Sequence, residues 1–183
     1  SGNVPQGAGL SSSAALEIAL IRAFSEVSGI SWEPTLSAKL AQRAESEWVG
    51  VNCGIMDQLI SACGVSKHTL FIDCHSLEIQ QVPLPQVLRV MILDTKTRRG
   101  LVDSNYNERH SQCKEASEIL GKSLLRDATM FELNEQSAEM TPLLYRRAKH
   151  VITENERVLQ AVDAMYANDH QHLGRLMYDS HKS

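Results

Sequence analysis

Apolar side chains recur with helical spacing in the first thirty residues, and glycine or proline bounds the elements that follow. The spacing predicts a helix over residues 12–28 that is apolar on most faces and therefore buried. Its apolar positions are Ala14, Ala15, Ile18, Ile21, Phe24 and Val27. Pro34 opens a second predicted helix that reaches about residue 47, and a third spans about residues 55–63, where Gly64 ends it.

Three short runs of β-forming residues come next, at residues 68–74, 78–84 and 88–95. Each run is bounded by turn residues, as strands usually are. Pro83 and Pro85 restrict the second run to an edge or an end, because proline cannot donate a ladder hydrogen bond. The three runs are predicted to be strands of one sheet.

After about residue 104 the pattern is helical only, with candidate helices at residues 104–120, 141–168 and 169–181. Thr141 and Pro142 are suited to the N-cap and the first position of the long helix, and Asp169 is suited to cap the last one. The change of pattern near residue 100 predicts a boundary between domains at residues 1–100 and 101–183. We therefore expect a two-domain α/β (α+β) fold.

Composition excludes several classes of protein. A chain of 183 residues with 43% hydrophobic and 22% charged residues is typical of globular proteins. Its net charge of -4 disfavours binding to nucleic acid. No apolar run approaches the roughly 20 residues that span a bilayer, so we expect a cytoplasmic protein that does not bind membranes. The four cysteines form no CxxC pair and are expected to be reduced thiols.

A glycine- and serine-rich segment at the start of the first helix is the strongest local signal. It consists of Gly7, Ala8, Gly9, Leu10, Ser11, Ser12 and Ser13. Glycines let the backbone approach a ligand closely, and a helix N-terminus presents unpaired N–H groups and the positive end of the macrodipole. A serine N-cap after a flexible turn is the simpler alternative, but one cap needs only one serine. The segment is predicted to bind phosphate, although no Walker Gly-Lys-Ser/Thr follows it.

Two carboxylates are candidates for the chemistry that phosphate transfer requires, which is counter-charge for a metal and a group that acts on the acceptor hydroxyl. Glu45 ends the second helix, and Asp57 follows a glycine turn in Cys-Gly-Ile-Met-Asp-Gln at residues 53–58. In isolation, Glu45 would be an exposed helix charge and Asp57 an acid that favours the macrodipole. Ile55 and Met56 are expected to hold Asp57 partly buried, where a carboxylate needs a cation or a ligand.

Other residues near these segments have simpler explanations. Cys53 lies beside Asp57, and we expect a packed small residue rather than a reactive thiol. His170 and His172 are expected to lie in a solvated helix start, because two ligands do not make a metal site.

Taken together, residues 5–14 and 49–58 resemble two signature segments of the galactokinases, within the GHMP kinase superfamily. The first, Pro-Gln-Gly-Ala-Gly-Leu-Ser-Ser-Ser-Ala, is shared by the superfamily. The second, Val-Gly-Val-Asn-Cys-Gly-Ile-Met-Asp-Gln, is more specific to galactokinases. The sequences of residues 70–74 and 176–181 are also typical of galactokinases, so the resemblance covers nearly the whole chain.

The resemblance implies a GHMP kinase fold, with residues 1–100 in the ATP-binding N-terminal domain and residues 101–183 at the beginning of the C-terminal domain. It implies that residues 7–13 hold the phosphates of ATP and that Ser13 and Glu45 coordinate Mg2+. It also implies that Asp57 binds the sugar and acts as base for its anomeric hydroxyl, while Gly54 and Tyr106 help to seat the sugar.

The implied activity is ATP-dependent phosphorylation of galactose to galactose 1-phosphate, the first committed step of galactose catabolism, by a monomeric enzyme. Two alternatives remain, a kinase for N-acetylgalactosamine or another sugar, and a non-catalytic regulator that senses galactose and ATP. The intact Ser13-Ala14 pair argues against the regulator.

Other galactokinase segments are not found in this sequence, namely an N-terminal Arg with a Glu-His-x-Asp group and a C-terminal glycine-rich motif. The phosphate-binding segment also begins within seven residues of the first position, without a strand before it. We therefore expect an internal fragment of a longer chain that is inactive or nearly inactive in isolation. Whether Asp57 is a base or an electrostatic orienter depends on a neighbouring Arg that the sequence does not show.

Overall fold

The computed structural model describes residues 2–50, 53–94 and 102–183, with the side chains of residues 102–106 left out of the description. The chain divides into two compact units, Ser1–Leu101 and Val102–Ser183. The assignment of residues 1–100 and 101–183 to two parts of a GHMP kinase stays a prediction. Within the described residues, no helix is both long enough and apolar enough to cross a membrane.

Three helices form most of the first unit, and their positions confirm the predicted ones. They are α1 (Ser12–Ser28), α2 (Pro34–Ala44) and α3 (Met56–Cys63), and a π-helical turn at Glu45–Val49 continues α2. The three helices pack against one another, and they bury Ala14, Ala38, Ala41 and Leu59. Gly29 ends α1 with a φ of 65°, a left-handed conformation that glycine adopts without strain.

Helix α1 is less buried than its composition predicts, so the expectation of burial on most faces is wrong. Only Ala14 and Ile18 are buried, whereas Phe24 is 69% exposed and Val27 is 87% exposed. An apolar face is buried only where another element lies on it, and α2 and α3 cover one side of this helix.

A β-hairpin completes the described part of the first unit. Strands β1 (His68–Ile72) and β2 (Ile79–Pro83) are antiparallel, and the register pairs His68 with Pro83 and Ile72 with Ile79. In the connecting turn the Asp73 carboxylate accepts hydrogen bonds from the backbone N–H groups of two following residues. Helices with a small two-stranded sheet confirm the predicted α+β class.

The third predicted strand, at residues 88–95, is wrong for its described part. Residues 88–94 form no strand, and Val90, Met91, Ile92 and Leu93 are exposed; Thr95 lies outside the described residues. β-forming residues adopt a strand only where a neighbouring strand accepts and donates their backbone hydrogen bonds. Among the described residues the sheet has only two strands, so this segment has no such neighbour.

The second unit is helical, as predicted. Its elements are α4 (Val102–Ile119), α5 (Met130–Glu135), α6 (Pro142–Tyr166) and α7 (His170–Lys182), with single 3-10 turns at Leu125–Asp127 and Ser137–Glu139. The predicted caps are confirmed, because the Thr141 hydroxyl accepts from the N–H of Leu144 and the Asp169 carboxylate accepts from the N–H of His172. Helix α5 and the two 3-10 turns were not predicted.

A continuous hydrophobic core holds α4, α5 and α6 together. Its buried members are Ala116, Leu120, Leu125, Ala128, Leu133, Met140, Leu144, Ala148 and Ile152. The short helix α5 contributes Leu133, which is fully buried. The second unit therefore has a core of its own, as an independent domain requires.

Candidate functional site

The glycine- and serine-rich segment has an alternating backbone. Gly7, Gly9 and Ser11 have positive φ values of 66°, 72° and 54°, whereas Ala8 and Leu10 do not. Residues of positive φ that alternate with ordinary ones can turn successive N–H groups toward one side and so form an anion-binding concavity. Ser11 is not a glycine, so its left-handed conformation is strained unless the surroundings hold it.

The first turn of α1 is not capped by a serine side chain. Ser11 occupies the N-cap position and its carbonyl accepts from the N–H of Ala15, but no side-chain cap hydrogen bond is formed. The alternative of a plain serine N-cap is therefore wrong. The N–H groups of this turn remain available to an anion, next to an open cavity of about 620 Å³ that Ser12 and Ser13 help to line.

Glu45 lies at the start of the π-helical turn, and its carboxylate is half-buried rather than an exposed helix charge. Its Oε2 accepts a hydrogen bond of 2.6 Å from Nε2 of Gln58 and another of 3.3 Å from Sγ of Cys53. Nε2 of Gln42 donates to the backbone carbonyl of Cys53 over 3.1 Å. Glu45 is thus hydrogen-bonded to both ends of the segment at residues 53–58, which contains Asp57.

Cys53 keeps its proton because of these surroundings. Burial first, and then the carboxylate of Glu45, raise the pKa of its thiol to about 11. A thiol in this position donates a hydrogen bond and is a poor nucleophile at neutral pH. The expected packed, unreactive Cys53 agrees with this geometry.

Glu17 is a further acidic residue of the site that the sequence interpretation missed. It lies on α1 one turn after Ser13, and its Oε2 is buried without a hydrogen-bond partner among the described residues. Burial first, and then the charge of Glu45, raise the pKa of Glu17. The i, i+4 spacing of Ser13 and Glu17 was the signal that could have identified it, because residues four apart share a helix face.

Asp57 lies in the first turn of α3 and is half-buried. Within the described part of the chain its carboxylate has neither a hydrogen-bond nor an ion-pair partner. The next residue, Gln58, is fully buried and fixes this turn against Glu45. A half-buried carboxylate without a partner is suited to receive a hydroxyl or a cation.

The remaining predicted sugar contacts are only partly described. Gly54 is exposed at the turn before α3. Tyr106 lies in α4, but its side chain is outside the described part of the structure. Its role in seating the sugar therefore stays a prediction.

The two predicted metal ligands, Ser13 and Glu45, are of the chemical kind that a magnesium ion binds. No group of three or more His, Cys, Asp or Glu residues that could hold a metal occurs in the described residues. Mg2+ does not require one, because it is usually bound by one or two carboxylates together with substrate phosphates and water. The Ser13 hydroxyl and the Glu45 carboxylate are hard oxygen donors. The charge of Glu45 also acts on Glu17, whose Oε2 is buried without a hydrogen-bond partner among the described residues.

Comparison with known proteins identifies the family that this arrangement resembles. Residues 1–65, which include residues 7–13, Glu45 and Asp57, match the family model of the GHMP kinases N terminal domain. The whole chain is similar to galactokinase from Lactococcus lactis, as seen in its crystal structure complexed with galactose, with a TM-score of 0.84 and 29% sequence identity. The match covers 98% of this chain and 48% of the Lactococcus chain, so this chain spans about half the length of that enzyme.

Proposed function

Because this chain has the GHMP kinase fold and is similar to a galactokinase in both sequence and structure, we propose that it belongs to an ATP-dependent galactokinase. The reaction is transfer of the γ-phosphoryl group of ATP to the anomeric hydroxyl of galactose, which gives galactose 1-phosphate and ADP. The observation that carries the proposal is the 2.6 Å hydrogen bond between Gln58 and Glu45. It connects the turn of Asp57 to a carboxylate that is close enough to α1 to raise the pKa of Glu17.

Residues 7–13 bind the phosphates in this proposal. The three positive φ values suit this segment to turn N–H groups toward the ligand, and the uncapped first turn of α1 adds the positive end of its macrodipole. Ser13 and Glu45 would hold Mg2+. When bound, this ion neutralises charge on the β- and γ-phosphates during transfer.

Asp57 acts on the acceptor. Its carboxylate accepts a hydrogen bond from the anomeric hydroxyl and directs that oxygen toward the γ-phosphorus. As the new O–P bond forms, the bond from phosphorus to the β,γ-bridging oxygen breaks, the electron pair leaves with ADP, and the hydroxyl proton passes to Asp57. The absence of a competing partner for Asp57 among the described residues supports this role.

The sugar is proposed to be galactose because the similar Lactococcus enzyme was crystallised with galactose. N-acetylgalactosamine or another sugar is the alternative acceptor. The assay below distinguishes the alternatives by comparing turnover with galactose and with N-acetylgalactosamine. The monomeric state and the cytoplasmic location stay predictions.

The test is an assay of ATP consumption by the protein that carries this chain, expressed at its full natural length. Galactose, N-acetylgalactosamine and mevalonate are compared as acceptors, and we expect turnover with galactose. Asp57→Asn keeps the shape of the side chain and removes its charge, so kcat should fall by about 10²–10⁴-fold while the affinity for Mg2+·ATP stays within about twofold.

The matched control is Asp163→Asn, which removes an exposed carboxylate from α6 and should leave kcat unchanged. Full turnover by Asp57→Asn would contradict the assignment of Asp57. Turnover with mevalonate but with none of the sugars would contradict the proposed sugar kinase.

A further inference from the structure

The two oxygens of the Glu45 carboxylate have different surroundings. Oε2 accepts both hydrogen bonds, from Gln58 over 2.6 Å and from Cys53 over 3.3 Å. In the described part of the chain Oε1 accepts none. Resting on the proposed function, we propose that Gln58 and Cys53 are positioning residues, which hold Oε2 so that Oε1 is presented to the magnesium ion of Mg2+·ATP.

Gln58 has no other evident reason to be polar. It is one of the few fully buried residues of the first unit, and its Oε1 is buried without a hydrogen-bond partner among the described residues. An amide buried in this way is unfavourable compared with an apolar side chain of the same shape. What the amide provides is its short hydrogen bond to a carboxylate, a charge-assisted contact that fixes the orientation of the acceptor.

Cys53 approaches the same oxygen from the loop before α3. Its position is fixed in turn, because Nε2 of Gln42 on α2 donates to its backbone carbonyl. Two donors on one oxygen leave the carboxylate little freedom to rotate. Carboxylates that bind metals are commonly held in this way by partners that do not touch the metal, and loss of such a partner typically weakens metal binding by about 10–100-fold.

The experiment measures metal binding directly rather than turnover. Mn2+ replaces Mg2+, and the electron paramagnetic resonance signal of free Mn2+ is followed in the presence of the non-hydrolysable analogue AMP-PNP, with the full-length protein. Gln58→Leu should weaken Mn2+ binding about tenfold or more. Binding of AMP-PNP without metal, measured in EDTA, should change by less than about twofold, since Gln58 is expected to act only through Glu45.

Gln81→Leu is the matched control. This half-buried glutamine of the same unit donates through Nε2 to the backbone carbonyl of Cys63, whereas in the described residues Glu45 accepts from Gln58 and Cys53. It should leave Mn2+ binding within about twofold of the wild type. In a Glu45→Ala background, Gln58→Leu should cause no further loss, because the residue through which it acts has been removed.

Cys53 provides a second and milder pair of variants, which keeps the proposal testable if Gln58→Leu does not fold. Cys53→Ala removes the donor and should weaken Mn2+ binding, whereas Cys53→Ser retains a donor and should restore much of it. Mn2+ affinity within twofold of wild type in both Gln58→Leu and Cys53→Ala would overturn the positioning role alone. A wild-type protein that binds neither Mn2+ nor AMP-PNP would overturn the proposed kinase function as well.

Discussion

At the scale of a single residue, the protonation of the Cys53 thiol depends on a neighbour that is not adjacent in sequence. Its position beside Asp57 suggested reactivity as one possibility, and only its contact with Glu45, eight residues earlier, shows why the thiol keeps its proton. Its pKa of about 11 leaves roughly one molecule in a thousand as thiolate at pH 8. The same contact shows that Glu45 is no ordinary exposed helix charge.

Alkylation by iodoacetamide tests this environment. At pH 8 we expect the exposed Cys74 to react first and Cys53 to remain largely unmodified, because its thiolate is scarce and its sulfur is half-buried. Peptide mapping by mass spectrometry would give the extent of reaction at each cysteine. In Glu45→Gln the carboxylate charge is removed, so Cys53 should react faster than it does in the wild type. Faster labelling of Cys53 than of Cys74 in the wild-type protein would contradict the assigned environment of Cys53.

At the scale of an element, helix α5 shows that the stability of a short helix can depend on the hydrogen bonds at its N-terminus. The Thr129 hydroxyl accepts from the N–H of Glu132, and the Glu132 carboxylate accepts from the N–H of Thr129 over 2.8 Å, which forms a capping box. Oε1 of Glu132 also lies 2.6 Å from Nζ of Lys122. A Thr-x-x-Glu pattern is visible in the sequence, so this element could have been predicted from its cap.

The pH dependence of stability tests the capping box. The hydrogen-bonded ammonium group of Lys122, followed by the backbone N–H of Thr129, lowers the pKa of Glu132 to about 2 from its ordinary 4.5. Because the folded-state pKa is lowered, the contribution of Glu132 to stability is complete above pH 4.5 and is lost as the pH falls toward 2. Glu132→Gln should therefore lower the urea midpoint at pH 7 and have a smaller effect at pH 3.5.

The control for this measurement is Glu135→Gln in the same helix, which lies exposed at the C-terminal end of α5. Its effect on the urea midpoint should be small at both pH values. An effect of Glu132→Gln that is equal at pH 7 and pH 3.5 would show that the charge of Glu132 does not stabilise this unit.

In the molecule as a whole, the two units bury their apolar residues to different extents. In the described part of the second unit nine buried residues, among them Leu133 and Leu144, form one continuous cluster. In the first unit large apolar side chains of α1 and of residues 90–93 remain exposed. Stability in the second unit should thus depend on a well-packed core, where removal of side-chain volume is costly.

Leu133→Ala tests this core. Leu133 is fully buried, so its truncation should lower the free energy of unfolding by about 2–5 kcal/mol through lost contacts and a residual cavity. Phe131, two residues earlier in α5, is 73% exposed, and Phe131→Ala should change stability by less than about 0.5 kcal/mol. Chemical denaturation followed by circular dichroism would compare the two; equal effects would contradict the assigned core.

The sequence by itself determined the elements whose signals are local. Helices α1, α2, α6 and α7 follow from apolar spacing and from caps such as Thr141 and Asp169, because helix hydrogen bonds and caps join residues that are close in the chain. The glycine- and serine-rich segment was recognisable for the same reason. Its alternating φ values depend on residues that are adjacent in sequence.

Only the tertiary structure decided the features that need a distant partner. The exposed side of α1 and the missing strand at residues 88–94 depend on whether another element lies beside them, which a local pattern does not contain. The contact of Gln58 with Glu45 joins residues thirteen positions apart on separate elements. The local sequence pattern was therefore enough to identify Glu45 and Asp57 as candidates. The proximity of Glu17, Glu45 and Gln58 depends on helix packing, which the sequence pattern does not contain.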